Sequence, residues 1–307
     1  MQPLAQQART IPLSNLPGGP LGDLPDAHVA LLRLDLGGGL APGNKAFKFA
    51  EILDTAQRTG VTRLVSFGGP WSNHLHAVAA VAKLAGMDSV GLVRGADGPH
   101  LSAMLQDAQG WGMQIVPLTR ARYRRRNEPQ FLAAIQREYS PCLVIPEGGA
   151  SAAGVRGCMA IASHVKSAMP DGGRVVVPVG TGTTLAGVVA GLDNRYEVAG
   201  VTALKGAADL SSRVHTALEP FAGGNLARWY LLDDFDCGGF ARVTPELRQF
   251  LQRFEQRHAL LLEPVYTAKM LFAVYQLLHS GEWSPSEPVL ALHTGGLQGR
   301  RGFDWLD

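Results

Sequence analysis

Short apolar, β-branched runs alternate along the chain with longer Ala- and Leu-rich segments of helical spacing, the pattern of a mostly parallel sheet covered by helices. The predicted strands are His28–Leu36, Arg63–Phe67, Ser89–Val93, Gln114–Leu118, Cys142–Pro146, Arg174–Val179, Glu197–Ala203 and Pro288–His293. Between them, helical spacing predicts Lys45–Arg58, Asn73–Leu84, His100–Gln109, Pro129–Tyr139, Ala152–Ala168, Thr184–Leu192, Pro245–His258 and Pro264–Leu278. The first two of these stop before Gly60 and Gly86, residues suited to ending a helix. The fold class is therefore α/β, built on open and mostly parallel sheets.

Four predicted strands run straight into glycine-rich turns: SFGGPWSN at 66–73, IPEGGAS at 145–151, PVGTGTT at 178–184 and LHTGG at 292–296. In open parallel sheets ligands collect at the carboxyl ends of strands, where helix N-termini and bare amides converge. Four such turns point to one shared site.

Composition narrows the partner. Forty-six per cent of the 307 residues are hydrophobic, enough for a sizeable core, and 28 basic against 26 acidic residues leave a net charge of only +2. That balance gives no field favouring nucleic acid or an anionic membrane, so a small molecule is the expected partner. Cys142, Cys158 and Cys237 have neither close pairing nor metal-ligand spacing and read as reduced core thiols. The segment Met1–Pro20 is polar and turn-rich, without the apolar stretch of a secretion signal, and no run is long enough to span a bilayer. The expectation is a cytoplasmic protein.

Candidate chemistry sits in the turns. Gly180, Thr181, Gly182, Thr183 and Thr184 combine bare backbone, hydroxyls and a helix start, which suits a phosphate and equally suits a tight strand-to-helix turn. No Lys-Ser/Thr pair follows, and the next glycine, Gly187, comes too late for the dinucleotide fingerprint. Lys45 opens a helix in PGNKAFKFAEIL, where the helix dipole and neighbouring Lys48 would lower its pKa; charge alone fits a solvated lysine as well. Ser72 and Asn73, with the amides of Gly68–His74, suit a carboxylate or simply cap a helix. Tyr266 in LEPVYTAK begins a helix, as acid, base or core tyrosine. Thr294 serves a ring nitrogen or caps its turn. The run RARYRRR at 120–126 reads as a solvated loop or a flap near the site entrance rather than a nucleic-acid patch.

Together GNKAFKFAEIL, SFGGPWSNHLHAVAAVAKLAG, VIPEGGASAAGVRG, PVGTGTTLAG, EPVYTAKM and LHTGG, in that order and over nearly the whole chain, resemble the pyridoxal 5′-phosphate (PLP) dependent family of 1-aminocyclopropane-1-carboxylate (ACC) deaminase and D-cysteine desulfhydrase. That family has the tryptophan synthase β-like fold, called fold type II. The resemblance implies PLP held as a Schiff base on Lys45, its phosphate on Gly180–Thr184 with help from Lys48, its ring oxygen on Asn73 and its ring nitrogen on Thr294. It implies that Ser72, Asn73 and His74 face the substrate carboxylate and that Tyr266, with Ser72 and Lys45, is catalytic. It further implies a homodimer, a small domain at 47–149, a large domain from 1–46 and 150–307, and the cofactor between them.

The chain also departs from the family pattern. Thr267 stands where ACC deaminases have Glu, which favours β-elimination of the desulfhydrase kind on a small amino acid over ring opening. Phe47, Trp71 and His76 replace the usual Arg, Gln and Arg, implying a rebuilt pocket entrance. Phe240 lacks the hydroxyl of a tyrosine common in relatives. ACC deaminase activity, and a PLP- or amino-acid-binding protein without turnover, stay open as alternatives.

Overall fold

The computed structural model describes residues 13–306 apart from 17–19, 25, 38, 96–99 and 207, so most of the polar segment Met1–Pro20 lies outside the described residues. Among the described residues ten strands form two sheets. A six-stranded sheet has the order β1 (Leu13–Leu16), β2 (Val29–Arg33), β10 (Val289–His293), β7 (Gly173–Val179), β8 (Tyr196–Thr202), β9 (Arg228–Leu232). A four-stranded sheet has the order β5 (Met113–Leu118), β4 (Asp88–Arg94), β3 (Arg63–Gly68), β6 (Cys142–Ile145). Only β1 is antiparallel to its neighbour.

The central strands are apolar on both faces because helices cover both. In β7 the run Val175, Val176, Val177 is wholly buried, with Val176 facing one core and its two neighbours the other. On one face lie α6 (Ala152–Met159), α7 (Ile161–Ala168), α8 (Thr183–Gly191) and α9 (Leu210–Leu218); on the other lie α10 (Pro245–His258) and α11 (Thr267–His279). The small sheet is covered by α1 (Asn44–Arg58), α2 (Asn73–Ala85) and α3 (Ala103–Gly110) on one side, and by α4 (Arg120–Arg124) and α5 (Pro129–Glu138) on the other.

Each sheet changes winding direction once. In the small sheet β4 and β5 extend one way from β3 and β6 returns to its other side; in the large one β8 and β9 extend from β7 and β10 returns. The ladder between β10 and β7 stops at Ala291↔Val176, before either strand ends, so the loops beyond them part. Such switch points are where open α/β sheets make ligand crevices. All four glycine turns follow these four strands.

The structure corrects several expectations. Leu34–Leu36 is a 3-10 turn rather than the end of β2, β1, β9 and α9 were not foreseen, and the long helix 152–168 divides at Ala160. The arginine run is no flap: Thr119 caps α4, Tyr123 is buried, and the Tyr123 hydroxyl and Arg126 both bond Glu147 at 2.6 Å. Phe47 is 2 % exposed and packs edge-on against His164, inside the core rather than at an entrance. A helix residue with its neighbours Ala46, Lys48 and Phe49 also buried has no solvent face to offer.

Candidate functional site

Lys45 is seated by a strained turn. Gly43, at φ 79° and ψ −152°, donates to Leu34 O and Gly37 O at 3.0 and 3.1 Å, and the next amide, Asn44 N–H, donates to Thr294 O at 3.2 Å. A side chain at Gly43 would overlap the Thr294 carbonyl, so only glycine lets the turn press this close to the end of β10. Asn44 is buried; its Nδ2 donates to Thr184 Oγ1 at 2.8 Å, and its Oδ1 accepts from Lys45 Nζ at 2.9 Å. Part of the Lys45 side chain stays accessible, yet protein atoms crowd the amine. Burial and then the charge of Lys48 lower its pKa to about 7.

The glycine loop lies beside it. Gly182, at φ 89°, starts α8, and the Thr181 and Thr183 hydroxyls, 3.1 Å apart, bond only to each other among the described residues. Side chains at Gly148 or Gly154 would meet Thr181 or Thr183, which brings the loop after β6 onto this one. Lys48 donates to Gly148 O at 2.7 Å, and burial lowers its pKa too. Beneath, α6 is clamped between α1 and α8: a side chain at Gly157 would overlap Phe47 O, and one at Gly187 would lie 2.7 Å from Val155 O. Glycines at these crossings bring Lys45 and the loop together.

The turn after β3 divides its residues. Ser72 caps α2 by accepting from Leu75 N at 3.2 Å. Asn73 opens the helix, with its Oδ1 accepting from Gln298 Nε2 at 2.9 Å and its Nδ2 against Gly296. His74, expected to face a substrate, is turned inward. Its ring stacks on Phe49 and its Nε2 meets Ser66 Oγ at 2.7 Å. Because Ser66 donates its proton to Ile145 O, Nε2 must be the donor and Nδ1 a bare acceptor, buried without a partner. Burial holds the His74 pKa well down, in keeping with a neutral ring. Trp71 stands exposed against Gly302, and His76 is buried against Trp111 with its Nε2 on Asp107 at 3.1 Å. Of the three departures expected at the pocket entrance, Phe47, Trp71 and His76, only Trp71 lines open surface.

Tyr266 precedes α11 and lies over Gly180, where a Cβ would come within 3.2 Å of the phenol oxygen. Burial and the nearby Glu263 push its pKa well up, so it stays a phenol. Glu263 was missed from sequence. It is buried, accepts from the amides of Val265, Tyr266 and Thr267, and is raised to about 7 by burial. Thr267 faces inward, its Oγ1 bonded to Glu263 N and O. Thr294 is buried, its hydroxyl without a hydrogen bond among the described residues, and Phe240 meets Tyr266 edge-on at 6.2 Å. Lys45, Lys48, Gly180–Thr184, Asn73, Tyr266 and Thr294 thus share one crevice. A separate groove of about 380 Å³, lined by Leu16, Val29, Met169 and Pro288 among others, lies at the opposite ends of β2 and β10 and offers little chemistry.

A family model described as pyridoxal-phosphate dependent enzyme matches residues 21–295. The chain belongs to that family. The enzyme is 27% identical over 280 residues to a Pyrococcus horikoshii protein assigned as a 1-aminocyclopropane-1-carboxylate deaminase, covering 89% of this chain and 86% of the relative. It is 27% identical over 301 residues to the D-cysteine desulfhydrase of Salmonella paratyphi A, covering 93% and 91%. A crystal structure of an ACC deaminase homologue superposes with a TM-score of 0.82 at 25% identity, over 96% of this chain and 92% of the other. Threonine deaminase from Solanum lycopersicum, at a TM-score of 0.69, 15% identity and 96% and 81% coverage, shares the fold.

The crevice of this PLP-dependent enzyme fits its cofactor. A loop at a helix start whose Thr181 and Thr183 hydroxyls bond each other suits a phosphate, a lysine with its pKa lowered to about 7 suits an aldehyde, and the Thr294 hydroxyl, without a hydrogen bond among the described residues, suits a ring nitrogen. Asn44, which ties the lysine to the loop, was also missed, though it lies within the quoted GNK motif.

Proposed function

We propose that the enzyme holds PLP at Lys45 and Gly180–Thr184 and carries out a D-cysteine desulfhydrase-like β-elimination on a small amino acid, giving an α-keto acid and ammonia. When bound, the cofactor draws electron density from the α-carbon of an attached amino acid. Lys45 supplies the neutral amine that attaches the cofactor and then takes the α-proton. Its lone pair is available near neutral pH because burial and Lys48 disfavour its charge. The Thr181 and Thr183 hydroxyls and the α8 amides would hold the phosphate, with Lys48 adjacent, and Asn73 would serve the ring oxygen and Thr294 the ring nitrogen. A hydroxyl at the ring nitrogen does not force its protonation, which leaves a milder electron sink suited to elimination.

The substrate carboxylate sits at the first turn of α2, where the leading amides have no intrahelical acceptor, beside Ser72 and Asn73. His74 contributes its amide there and its ring only from beneath. Tyr266, held protonated, donates to the departing group. The α-C–H bond breaks toward Lys45, the Cβ–X bond breaks with its electron pair on X, and water supplies the keto oxygen as ammonia leaves. Segments 47–149 and 1–46 with 150–307 act as two domains around the cofactor, in a cytoplasmic homodimer.

The observation that carries this reading is the Lys45–Asn44–Thr184 chain, which wires a near-neutral amine to the anion loop. The inward Thr267 favours elimination over ACC ring opening, since its hydroxyl is committed to the α11 cap. Visible absorbance with and without added PLP, for the native enzyme and Lys45→Ala, tests the first. Keto-acid release from D-cysteine, L-cysteine and ACC tests the second. A protein that takes up no PLP, or that releases keto acid from ACC alone, refutes the respective part.

A further inference from the structure

Lys269, in the first turn of α11, is 1 % exposed, and among the described residues its hydrogen-bond partners are backbone carbonyls alone. Nζ donates to Asp236 O and Gly239 O, both at 2.6 Å, with a longer contact to Ala203 O at 3.5 Å. The Asp236 carboxylate is turned elsewhere, accepting from Gly238 N at 2.7 Å. Two carbonyls at 2.6 Å and a third at 3.5 Å match the three N–H bonds of an ammonium and offset the burial that lowers the pKa of this lysine. Charged lysine buried among carbonyls is the arrangement of a bound monovalent cation, with the ion carried by the chain.

The loop it grips combines its own turn bonds, Gly239 N–H to Asp236 O at 3.0 Å and Arg242 N–H to Gly239 O at 3.1 Å, with left-handed backbone. Cys237, Gly238, Gly239 and Ala241 have φ of 51°, 92°, 107° and 56°, and two of these are not glycine. Side chains adopt such backbone when surroundings impose it. Between them Phe240 is 46 % exposed and meets Tyr266 edge-on, at 65° between ring planes. Tyr266 caps the same helix turn that carries Lys269. One turn of helix therefore fixes both rings, one directly and one through the carbonyls.

We propose that Lys269 is a built-in cation that fixes the loop 236–241, sets Phe240 against Tyr266 and so positions the wall beside the substrate side chain. The last step rests on the proposed function, which places Tyr266 at the substrate; the grip on the loop does not. Lys269 is a positioning residue, since it touches neither cofactor nor reacting atoms.

Lys269→Ala leaves a hole lined by carbonyls, which potassium, ammonium or methylammonium can enter. Amide hydrogen exchange in 237–241 should quicken about tenfold or more, because local opening follows the loss of a local anchor. It should slow again, saturably, with added methylammonium, while the native enzyme stays indifferent to the ion. With a turned-over substrate, kcat/KM should fall about tenfold, the equivalent of about 1.4 kcal/mol, and recover over the same ion range. Cofactor absorbance should not change. Lys269→Met, which fills the hole without a donor, should show the fast exchange and no rescue, and covers the case in which the alanine variant is too unstable to use. Unchanged exchange in both variants, or fast exchange in Lys269→Ala that no monovalent cation reverses, overturns the built-in cation. Fast, reversible exchange with unaltered kcat/KM overturns the positioning role. The exchange measurement needs no substrate, so an enzyme inactive on every amino acid tried still tests the loop.

Discussion

Gly43→Ala asks whether the turn before Lys45 is what seats it. At φ 79° and ψ −152° an alanine pays backbone strain of about 1–3 kcal/mol. Its Cβ would overlap the Thr294 carbonyl oxygen and lie 2.6 Å from the carbonyl carbon, both rigid backbone atoms, which adds about 1–3 kcal/mol of overpacking. The stiffer unfolded chain returns about 0.4–1 kcal/mol. A net loss of about 2–5 kcal/mol exceeds the ~1 kcal/mol of the Asn44 N–H to Thr294 bond, so that bond gives way first. At about 2–4 °C per kcal/mol for a chain of this order of size, thermal unfolding of the cofactor-free protein should fall by about 4–20 °C. Uptake of PLP, followed by visible absorbance, should slow, because Asn44 no longer holds the amine toward the α8 loop. A melting temperature within 2 °C of native, measured to about that precision, with native uptake would refute the argument that this glycine seats the lysine.

Other outcomes follow from the same geometry. PLP capture by the apoprotein needs neutral Lys45, whose folded pKa is lowered to about 7, so the capture rate should rise with pH through a midpoint near 7. Removing a cationic neighbour raises that pKa, so Lys48→Met should move the midpoint upward; an unmoved midpoint means the coupling is absent. Tyr266→Phe should retain cofactor absorbance and lose about 100-fold in kcat/KM, measured on the best substrate of the panel. Ser66→Ala strands the buried His74 N–H and should cost about 1–3 kcal/mol in urea unfolding. Arg301→Ala cuts the ion pair with Asp107 that links the C-terminal turn to α3. With both side chains substantially exposed it should cost at most about 1 kcal/mol in the same assay.

The strand ends were legible because glycine marks them: the turns after β3, β6, β7 and β10 were visible as punctuation, and so was the crevice they share. Edge elements were not. In β9 Arg228 is exposed and Trp229–Leu232 are half-buried, with no alternation between faces to betray a strand. In α9 only Leu210, Val214 and Leu218 are buried, three apolar positions in a short and otherwise mostly polar segment. Glu263 was hidden by starting its helix at Pro264; the carboxylate accepts amides from the three residues 265–267 and so belongs to the cap. Asn44 could not be weighed locally, since its partner Thr184 lies 140 positions away. Phe47 misled in the opposite way: a resemblance placed it at an entrance, whereas its burial on a helix packed on two sides decides its place.

The pair of lysines shows how packing, and not residue type, divides the chemistry. Lys45 and Lys48 are three apart on α1, so they stand on neighbouring parts of one face, and both are driven toward neutrality by burial. Two ammonium groups in one dry crevice repel, and the proton stays where the surroundings serve it better. Lys48 donates to the Gly148 carbonyl at 2.7 Å and feels no opposing cation among its leading influences. Lys45 has an amide oxygen at 2.9 Å and also feels Lys48. In the proposed function the asymmetry would leave Lys48 as the charge beside an anion and Lys45 as the lone pair beside a carbonyl carbon, the division of labour that a phosphate-bearing aldehyde requires.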